Sequence, residues 1–505
     1  IPFATFLGFN GEKVPDIDLN FSGDFQPRAH EFCRTIFGVD RAFRAGTIGT
    51  IAEKTAIGHV KNYCERKGIQ MRRAEMLNFA HKIMGVKRST GQHPGGIVVI
   101  PKEIEYCDIT PIQYPADDVT SSWRTTHFDY HKFESNLLKL DILGHDDPTM
   151  IRHLMNFVEA YPDEFKFSTV EGIPLTDKKV FGLFNGLESL GLTPSQTFGQ
   201  TIGTTGIPEF GTTLTKKMLM QIRPDSVASL LKISGLSHGK GVWQGNSQDF
   251  MMGKKTGFAT IDFDDLIGCR DDIMLYLIDK HLPSIDAFAI MEKVRHGRGL
   301  TPAMEKEMVE YNVPEWYIQS CKMIQYMFPK AHATAYVIMA LRIGWFKVHK
   351  PIYYYAAYFS RRADGYDVES MADGAEAIQA KLLELQEKLD NKTALPKDGD
   401  IFNALLLAIE MVSRGYRFLQ IDINKSAARD FLVTKDKMGL IIPFSALEGL
   451  GETIGKTIVE ARSQAPFTSK EDVRKRTKIN NTQFEKMNSL GSFKDLPEKD
   501  QMGLF

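Results

Sequence analysis

One short stretch near the start of the chain alternates polar and apolar residues with a period of two. It reads PDIDLNF over residues 15–21. A period of two is typical of a β-strand, because successive side chains point to opposite faces of a sheet. We therefore predict that Asp16 and Asp18 stand side by side on one face. Ile17 and Leu19 are predicted to turn into the core.

A second stretch, LLKLDILG over residues 137–144, has the same period. It places Lys139 and Asp141 on one face and the intervening leucine and isoleucine residues on the other. If the two strands pair, three carboxylates converge beside one lysine. On Asp16 and Asp18 alone a solvated strand end is the favoured interpretation, and the matching second strand adds weight to a catalytic cluster.

Most of the remaining chain has apolar residues at the three- and four-residue spacing of amphipathic helices. This spacing covers about residues 46–90 and most of residues 145–430. Because the two acidic strands would pair across the first of these stretches, we predict an inserted helical subdomain between them. A charged helix is predicted over residues 375–392, followed by a loop over 393–400.

Glycine-rich segments interrupt the helical pattern. TGQHPGG (90–96) precedes the apolar run IVVI (97–100) and is predicted to form a turn. TGIPEFGT (205–212) is predicted to be a loop. ISGLSHGKG (233–241) is similar to a phosphate-contacting loop but lacks the spacing of a P-loop.

Two segments place cations at predicted helix starts. GCRDD (268–272) puts Arg270 just before a helix, and FPKAH (328–332) opens a helix with Lys330 and His332 in its first turn. Backbone N–H groups and the helix dipole make such a terminus an anion site. A capped surface helix is the alternative.

The sequence pattern changes again over the last 65 residues. LEGLG (447–451) and IGKTIV (454–459) form a helix–hairpin–helix pattern, whose glycine turn exposes N–H groups to a DNA phosphate. The alternative is a purely structural unit. The sequence closes in QMGLF (501–505), where two adjacent apolar residues are expected to anchor in a partner's pocket.

Length and composition fit a multidomain globular protein. The chain has 505 residues, 43% hydrophobic and 25% charged, which predicts three or four domains. Its net charge of −1 excludes a uniformly basic nucleic-acid binder but not local basic faces. The five cysteines form no C-x-x-C pair, so we expect neither a disulfide framework nor a zinc site. No apolar run approaches a membrane span, and no signal peptide is visible.

The predicted acidic cluster implies a cation. Three carboxylates at one point raise one another's pKa unless a positive charge compensates them. Two magnesium ions would satisfy them and would suit an in-line phosphoryl transfer.

Several segments together resemble the PolC type of bacterial DNA polymerase III alpha subunit, a C-family DNA polymerase. They are PDIDLNFSGD, RAGTIGT, STGQHPGGIVVIP, LLKLDILGHDDPTM, GIPEFGT, ISGLSHG, GCRDDIM, YMFPKAHATAY and QMGLF, in the family's order. The resemblance covers essentially the whole chain. Together with the opening Ile1-Pro2-Phe3, it leads us to expect the C-terminal portion of a longer protein.

The resemblance implies an α+β multidomain fold that is mostly helical. A nucleotidyltransferase-beta-like palm would occupy residues 1–45 and 96–145, with the N-terminal portion of the palm missing. The inserted thumb would be 46–95 and the fingers 146–435. Residues 436–495 would be a tandem helix–hairpin–helix region and 496–505 a clamp-binding tail.

The resemblance also implies the role of each candidate residue. Asp16, Asp18 and Asp141 match the metal-binding catalytic aspartates, and Lys139 would neutralise the phosphates or the primer end. Nucleotide binding would fall to Arg270, Lys330, His332 and His238. DNA binding would involve Lys87, Arg88, Gly449, Gly451, Gly455 and Lys456. The sliding clamp would bind Gln501, Met502, Leu504 and Phe505, although Gly503 stands where the family's clamp peptide prefers Ser or Asp.

The function implied is template-directed addition of dNMP to a primer 3′-hydroxyl in the cytoplasm. The cofactors would be two Mg²⁺ ions, with no zinc in this portion. The partners would be primer–template DNA, dNTP, the sliding clamp and other replisome subunits, and no membrane. Two alternatives stay open. One is a metal-dependent nuclease that recruits His127, Asp129 or Asp146, and the other is a non-catalytic subunit that binds DNA and clamp.

Overall fold

The computed structural model describes residues 3–11, 13–15, 17–133 and 136–499. The chain forms two compact units that meet in sequence between Pro148 and Thr149. We call them the N-unit and the C-unit.

The N-unit is built on one mixed six-stranded sheet. Its elements are α1 (Ala4–Leu7), β1 (Ile17–Ser22), α2 (Gln26–Phe37), β2 (Ala42–Thr50), α3 (Glu53–Lys67), α4 (Arg73–Ile83), β3 (Lys87–Val99), β4 (Ile112–Gln113), β5 (Thr125–Asp129) and β6 (Leu138–His145). The strand order is β1-β6-β3-β2-β5-β4. The two strands predicted from alternation, β1 and β6, are therefore neighbours, and they run parallel.

The alternation of β6 is confirmed, and that of β1 only in part. Leu140 and Ile142 are buried against Ala29 and Cys33 of α2. Leu19, predicted to be in the core, is instead 43% exposed. The reason is that β1 lies at the edge of the sheet, where a neighbouring strand covers one side only.

The predicted helical insertion is present and is narrower than the pattern suggested. It consists of α3 and α4, which connect the antiparallel strands β2 and β3 and share a small core around Ala56 and Val60. The turn predicted at residues 90–96 is wrong, because β3 runs through it. A Cβ on Gly95 would lie 2.8 Å from the Ile142 carbonyl oxygen, so this glycine permits close approach to β6.

The C-unit is almost entirely helical. Its helices begin with α5 (Asp146–Ala160), which starts in the N-unit, and continue with α6 (Lys178–Gly182), α7 (Thr213–Ile222), α8 (Val227–His238), α9 (Gln248–Met251), α10 (Arg270–Asp279), α11 (Ser284–Arg295), α12 (Pro302–Glu310), α13 (Glu315–Met323), α14 (Lys330–His349), α15 (Pro351–Arg361), α16 (Val368–Asp373), α17 (Ala375–Asp390) and α18 (Pro396–Ser413). A small three-stranded sheet and three further helices follow: β7 (Arg417–Leu419), β8 (Leu432–Val433), β9 (Gly439–Ile441), α19 (Glu452–Gln464), α20 (Lys470–Arg476) and α21 (Asn481–Ser489).

Two loop predictions in the C-unit are wrong. Most of the segment 233–241 belongs to α8, whose N-cap Ser226 accepts a hydrogen bond from the Ser229 N–H. The predicted loop 393–400 contains the start of α18, because Pro396 occupies the first turn, where its missing N–H costs nothing. The predicted charged helix is confirmed as α17, and the helix at FPKAH is confirmed as α14.

The core of the C-unit centres on α14 and α15. Three consecutive tyrosines of α15, Tyr353 to Tyr355, are fully buried, and their side chains pack among the surrounding helices. The predicted mostly helical α+β fold is thus confirmed, and the described residues form two sheets. In the described ranges, no helix combines the length and the apolarity that crossing a bilayer requires.

Candidate active site and anion site

The two acidic strands bring their carboxylates together in the N-unit. Asp18 on β1 is the direct register partner of Asp141 on β6. In a pleated sheet such partners project from the same face, so the two carboxylates are neighbours. Asp16, the third predicted ligand, lies outside the described residues.

Lys139 lies beside Asp141, as the alternation of β6 predicted. Its Nζ is 2.8 Å from Asp141 Oδ2, and both side chains are about 15% exposed, at 15% and 14%. The same ammonium group lies 4.8 Å from the centre of the Tyr130 ring. Tyr130 therefore fixes the lysine on its apolar side by a cation–π contact, which sequence reasoning missed.

The other oxygen of Asp141 is placed for a cation. Asp141 Oδ1 is buried and accepts no hydrogen bond from any of the described residues. Its neighbour His93 Nδ1 lies 3.5 Å away, but this nitrogen accepts the Gly96 N–H at 2.7 Å and so has no proton to give. Burial lowers the pKa of His93, against the pull of Asp141. A buried carboxylate oxygen without a donor is a group that a bound Mg²⁺ would satisfy.

Arg44 braces the strand segment that carries His93. Its guanidinium donates to the carbonyl oxygens of His93 at 2.7 Å and Pro94 at 2.9 Å, and contacts His30 Nδ1 at 2.9 Å. The other nitrogen of His30 is 3.0 Å from the Ile142 carbonyl oxygen. This network ties α2, β3 and β6 together directly behind the carboxylates.

Two of the three ligands considered for a nuclease, His127 and Asp129, do not join this cluster. His127 and Asp129 lie on β5, three strands away from β6, which corresponds to about 14 Å. His127 contacts Gln113, and Asp129 accepts the Ile48 N–H. Asp146 is exposed at the start of α5. Among the described residues there is no group of three or more His, Cys, Asp or Glu placed to hold a metal, and Asp16 was outside that set.

In the C-unit, the four predicted nucleotide-binding residues come together. The Arg270 N–H donates to the Phe328 carbonyl oxygen at 3.1 Å, which joins the start of α10 to the start of α14. Phe328 stacks on His332, with ring centres 4.9 Å apart, and His332 lies 6.0 Å from the His238 ring. Three helix termini therefore meet at one point.

Two aspartate carboxylates are bonded to the groups of Lys330 that were predicted to bind an anion. The Lys330 N–H donates to Asp271 Oδ2 at 2.7 Å, and Lys330 Nζ to Asp272 Oδ1 at 3.1 Å. Although burial opposes it, the charge of Asp272 raises the pKa of Lys330. Lys330 is thus a fixed ammonium group at the first residue of α14.

Arg270 lies at a helix start, as predicted, and its side chain is buried. It is the first residue of α10 and only 4% exposed, so its guanidinium is not displayed on the surface. Next to it, Lys330 and Asp272 line a cavity of about 860 Å³, together with Lys232 and the aromatic Tyr276 and Tyr317. The sequence could not reveal this burial, because it depends on the packing of α8 and α14 against α10.

Only some of the groups predicted to contact DNA near the end of the chain are exposed and without a bond inside the described structure. Gly449 has a φ of +85° and, like Gly451, has open space where a side chain would be, as a phosphate-binding turn requires. Gly455 lies inside α19 and its N–H is bonded to the Gly451 carbonyl oxygen, so this N–H does not face outward as the predicted DNA contact would require. Lys456 is paired with Glu452 at 2.8 Å.

The remaining candidates divide between the surface and the undescribed end of the chain. Lys87 and Arg88 are exposed at the start of β3. The residues predicted to bind the clamp, Gln501, Met502, Leu504 and Phe505, lie outside the described residues.

Three family models match the chain in sequence order. The bacterial DNA polymerase III alpha NTPase domain matches residues 1–75 and 61–144, the bacterial DNA polymerase III alpha subunit finger domain matches 147–313, and a helix-hairpin-helix motif matches 415–502. The first match contains the carboxylates of the N-unit. The second contains His238 and Arg270 and ends before Lys330 and His332.

Similar curated proteins agree with these matches. Proteins named DNA polymerase III PolC-type are 50% identical in Oceanobacillus iheyensis, 49% in Bacillus subtilis and 51% in Streptococcus pyogenes, in each case over the whole chain. The chain spans about a third of the length of these relatives, 34% in each. On this evidence, the chain belongs to the family of PolC-type bacterial DNA polymerase III alpha subunits.

Proposed function

We propose that this chain carries the catalytic aspartates and the nucleotide-binding helices of a replicative DNA polymerase. The reaction would be attack of a primer 3′-hydroxyl on the α-phosphate of a template-matched dNTP, with release of pyrophosphate. The observation that carries the proposal is the register of Asp18 against Asp141, with Lys139 bonded to the latter. The names of the relatives support it.

The architecture proposed is the one that the resemblance implies. The sheet of the N-unit would be the palm, with α3 and α4 as the inserted thumb. Most of the C-unit would be the fingers, followed by a helix–hairpin–helix region and a clamp-binding tail. A cytoplasmic location is part of the same proposal.

Asp16, Asp18 and Asp141 would hold the magnesium ions. When bound, these ions supply Lewis-acid activation of the attacking hydroxyl and charge neutralisation at the leaving pyrophosphate. Lys139 contributes a fixed positive charge beside Asp141, where the incoming phosphates add negative charge. His93, neutral and braced by Arg44, fills the other side of Asp141 and limits where its carboxylate can turn.

Nucleotide binding would involve an exchange of partners at the start of α14. Lys330 is bonded to Asp272, and a triphosphate would compete with that carboxylate for the ammonium group. Arg270 would need a side-chain rearrangement to reach the same phosphates, because it is 4% exposed. His332 and His238 would line the adjacent surface.

The remaining partners are proposed from sequence and chemistry. Primer–template DNA would contact Lys87 and Arg88 in the N-unit, and Gly449, Gly451 and Lys456 in the C-unit. The sliding clamp would bind the segment from Gln501 to Phe505, and other replisome subunits would attach elsewhere.

A primer-extension assay on the full-length protein tests the proposal. We expect Asp141→Asn to abolish extension while DNA affinity stays within a few fold, because a metal ligand worth several kcal/mol of transition-state stabilisation is lost. Asp108→Asn, which changes an exposed aspartate of the same unit, is the matched control and should extend normally. Extension by Asp141→Asn at the wild-type rate would refute the assignment. Degradation of the primer by the wild type would indicate a nuclease. Absence of both extension and degradation would indicate a non-catalytic subunit.

A further inference from the structure

The acidic side chain of Glu209 contacts His238, the histidine at the end of α8. His238 Nε2 and Glu209 Oε2 form a short hydrogen bond. On the opposite side of the ring, His238 Nδ1 lies 2.6 Å from the Ser234 carbonyl oxygen. A carbonyl oxygen and an ionised carboxylate can each accept a hydrogen bond but cannot donate one. Both ring nitrogens must therefore carry protons.

The surroundings of His238 suit a positive charge. His238 is the last residue of α8, where the helix dipole favours a cation. The titratable groups that face it are Glu209 from the loop before α7 and His332 from α14, with the Ser237 hydroxyl 3.1 Å from Nδ1. Phe328 closes the remaining side with an edge-on ring contact. Although burial works against it, the hydrogen bonds to Glu209 and Ser234 raise the pKa of His238.

A second, independent observation concerns the backbone of Glu209. Its φ is +65°, in the left-handed region that non-glycine residues rarely occupy. The residue is held there by a tight turn, in which the Phe210 N–H bonds the Pro208 carbonyl oxygen at 2.8 Å. Glycine would adopt this conformation without strain. Strain of this kind persists where the side chain is needed in one place.

We propose that Glu209 is a positioning residue that holds His238 as an oriented imidazolium beside His332 in the nucleotide-binding cluster. The inference rests on the proposed function for its consequence, and on the geometry alone for the state of His238. The imidazolium adds one positive charge to a cluster that must receive a triphosphate. Glu209 acts through His238 and does not itself touch the nucleotide.

Two variants separate the carboxylate from the backbone. Glu209→Gln keeps the size of the side chain and removes its charge. Glu209→Gly also removes the carboxylate but relieves the strained φ, so its thermal stability should equal or exceed that of the wild type. Glu384→Gln is the matched control, because Glu384 is also ion-paired but its partners are Lys381 and Lys388.

The first measurement is the pKa of His238 in the 505-residue chain. It is determined by NMR titration of ¹³C-labelled histidine, and the His238 signal is assigned by its loss in His238→Gln. We expect the pKa to fall in both Glu209 variants and to stay unchanged in Glu384→Gln. An unchanged pKa in Glu209→Gln would overturn the proposal. This readout does not depend on polymerase activity, so it stands if the wild-type protein fails to extend primers.

The second measurement is the KM for dNTP against pH in the full-length protein. His238 keeps its charge below its pKa and loses it as the pH rises through that value. In Glu209→Gln the loss therefore comes at lower pH, and we expect the KM at pH 8 to rise about tenfold with little change in kcat, since one charge-assisted contact is lost. At pH 6 the difference from the wild type should shrink. A wild-type KM in Glu209→Gly at pH 8, or an equal rise at both pH values, would overturn the positioning role.

Discussion

At the scale of single residues, Lys347 shows how the C-unit accommodates a fully buried charge. Its ammonium group donates to the carbonyl oxygens of Gly203 at 2.8 Å and Thr205 at 2.6 Å, and to Glu410 Oε2 at 3.0 Å. The Tyr355 hydroxyl donates to the other oxygen of Glu410 at 2.8 Å. Burial lowers the pKa of Lys347 to about 8, even though Glu410 opposes the shift. The pair thus fixes the loop before α7 to α14 and α18.

Removing one partner of this pair should cost much more than removing both. We expect Glu410→Gln to lower the free energy of unfolding by about 3–5 kcal/mol, because it leaves the Lys347 charge buried without a counter-charge. The double variant Lys347→Met with Glu410→Leu should recover most of that loss, since it buries no charge. Chemical unfolding of the 505-residue chain, followed by circular dichroism, measures both. A double variant as unstable as Glu410→Gln would contradict this account.

Sequence reasoning identified the residues of the carboxylate cluster but not the residues that support them. Alternation placed Lys139 beside Asp141, because both lie on one strand and the period of a strand is fixed. His93 and Tyr130 were missed, because their contacts depend on how other segments pack against β6. The burial of Arg270 could not be predicted for the same reason, since a charged residue next to a helix start is compatible with both surface and interior.

At the scale of elements, Gly235 shows why α8 can lie so close to the start of α10. A Cβ at this position would lie 2.4 Å from the Gly268 carbonyl oxygen and 2.5 Å from Cys269 Sγ. Glycine inside a helix costs about 1 kcal/mol relative to alanine. The cost is accepted here because a side chain would push α8 away from the segment that carries Arg270.

Two glycine-to-alanine changes in helices of the C-unit should therefore have opposite effects. Gly235→Ala should destabilise the C-unit by about 1–3 kcal/mol through overpacking against backbone and raise the KM for dNTP. Gly399→Ala, in α18, meets no atom within 4 Å and should stabilise by about 0.5–1 kcal/mol. Thermal unfolding of both variants checks the signs. Stabilisation by Gly235→Ala would show that α8 and α10 can separate without cost.

The elements themselves were predictable to the extent that local periodicity determines them. The strands β1 and β6 and the helices α14 and α17 were predicted correctly, because each has a clear period. The segments at 90–96 and 233–241 were predicted wrongly as a turn and a loop, because their glycines were taken to end the regular secondary structure. In both places glycine serves close packing within a regular element, which only the neighbouring backbone reveals.

At the scale of the whole molecule, a net charge of −1 means that DNA affinity depends on local contacts. The cations near the glycine turn are largely paired within the chain, as in Lys456 with Glu452 and Lys486 with Glu448. Such contacts are individually weak and sensitive to salt. Long residence on DNA would therefore need an additional attachment, and the proposed clamp-binding segment would supply one.

The last prediction concerns that attachment. Leu504 and Phe505 are adjacent apolar residues, and Gln501 lies four positions before Phe505, so a short turn could present all three to one pocket. A peptide of this size buries little area and must be ordered on binding, so its own affinity should be roughly micromolar. With the polymerase already on the duplex that the clamp encircles, tethering raises the effective concentration of the peptide and converts a weak contact into long residence.

We therefore expect Leu504→Ala with Phe505→Ala, in the full-length protein, to remove most stimulation by the clamp while leaving clamp-free extension nearly unchanged. Gly503→Ser should preserve or increase the stimulation, and Lys499→Ala, at an exposed position, should have no effect. Full stimulation of the double variant would place the clamp contact in another segment.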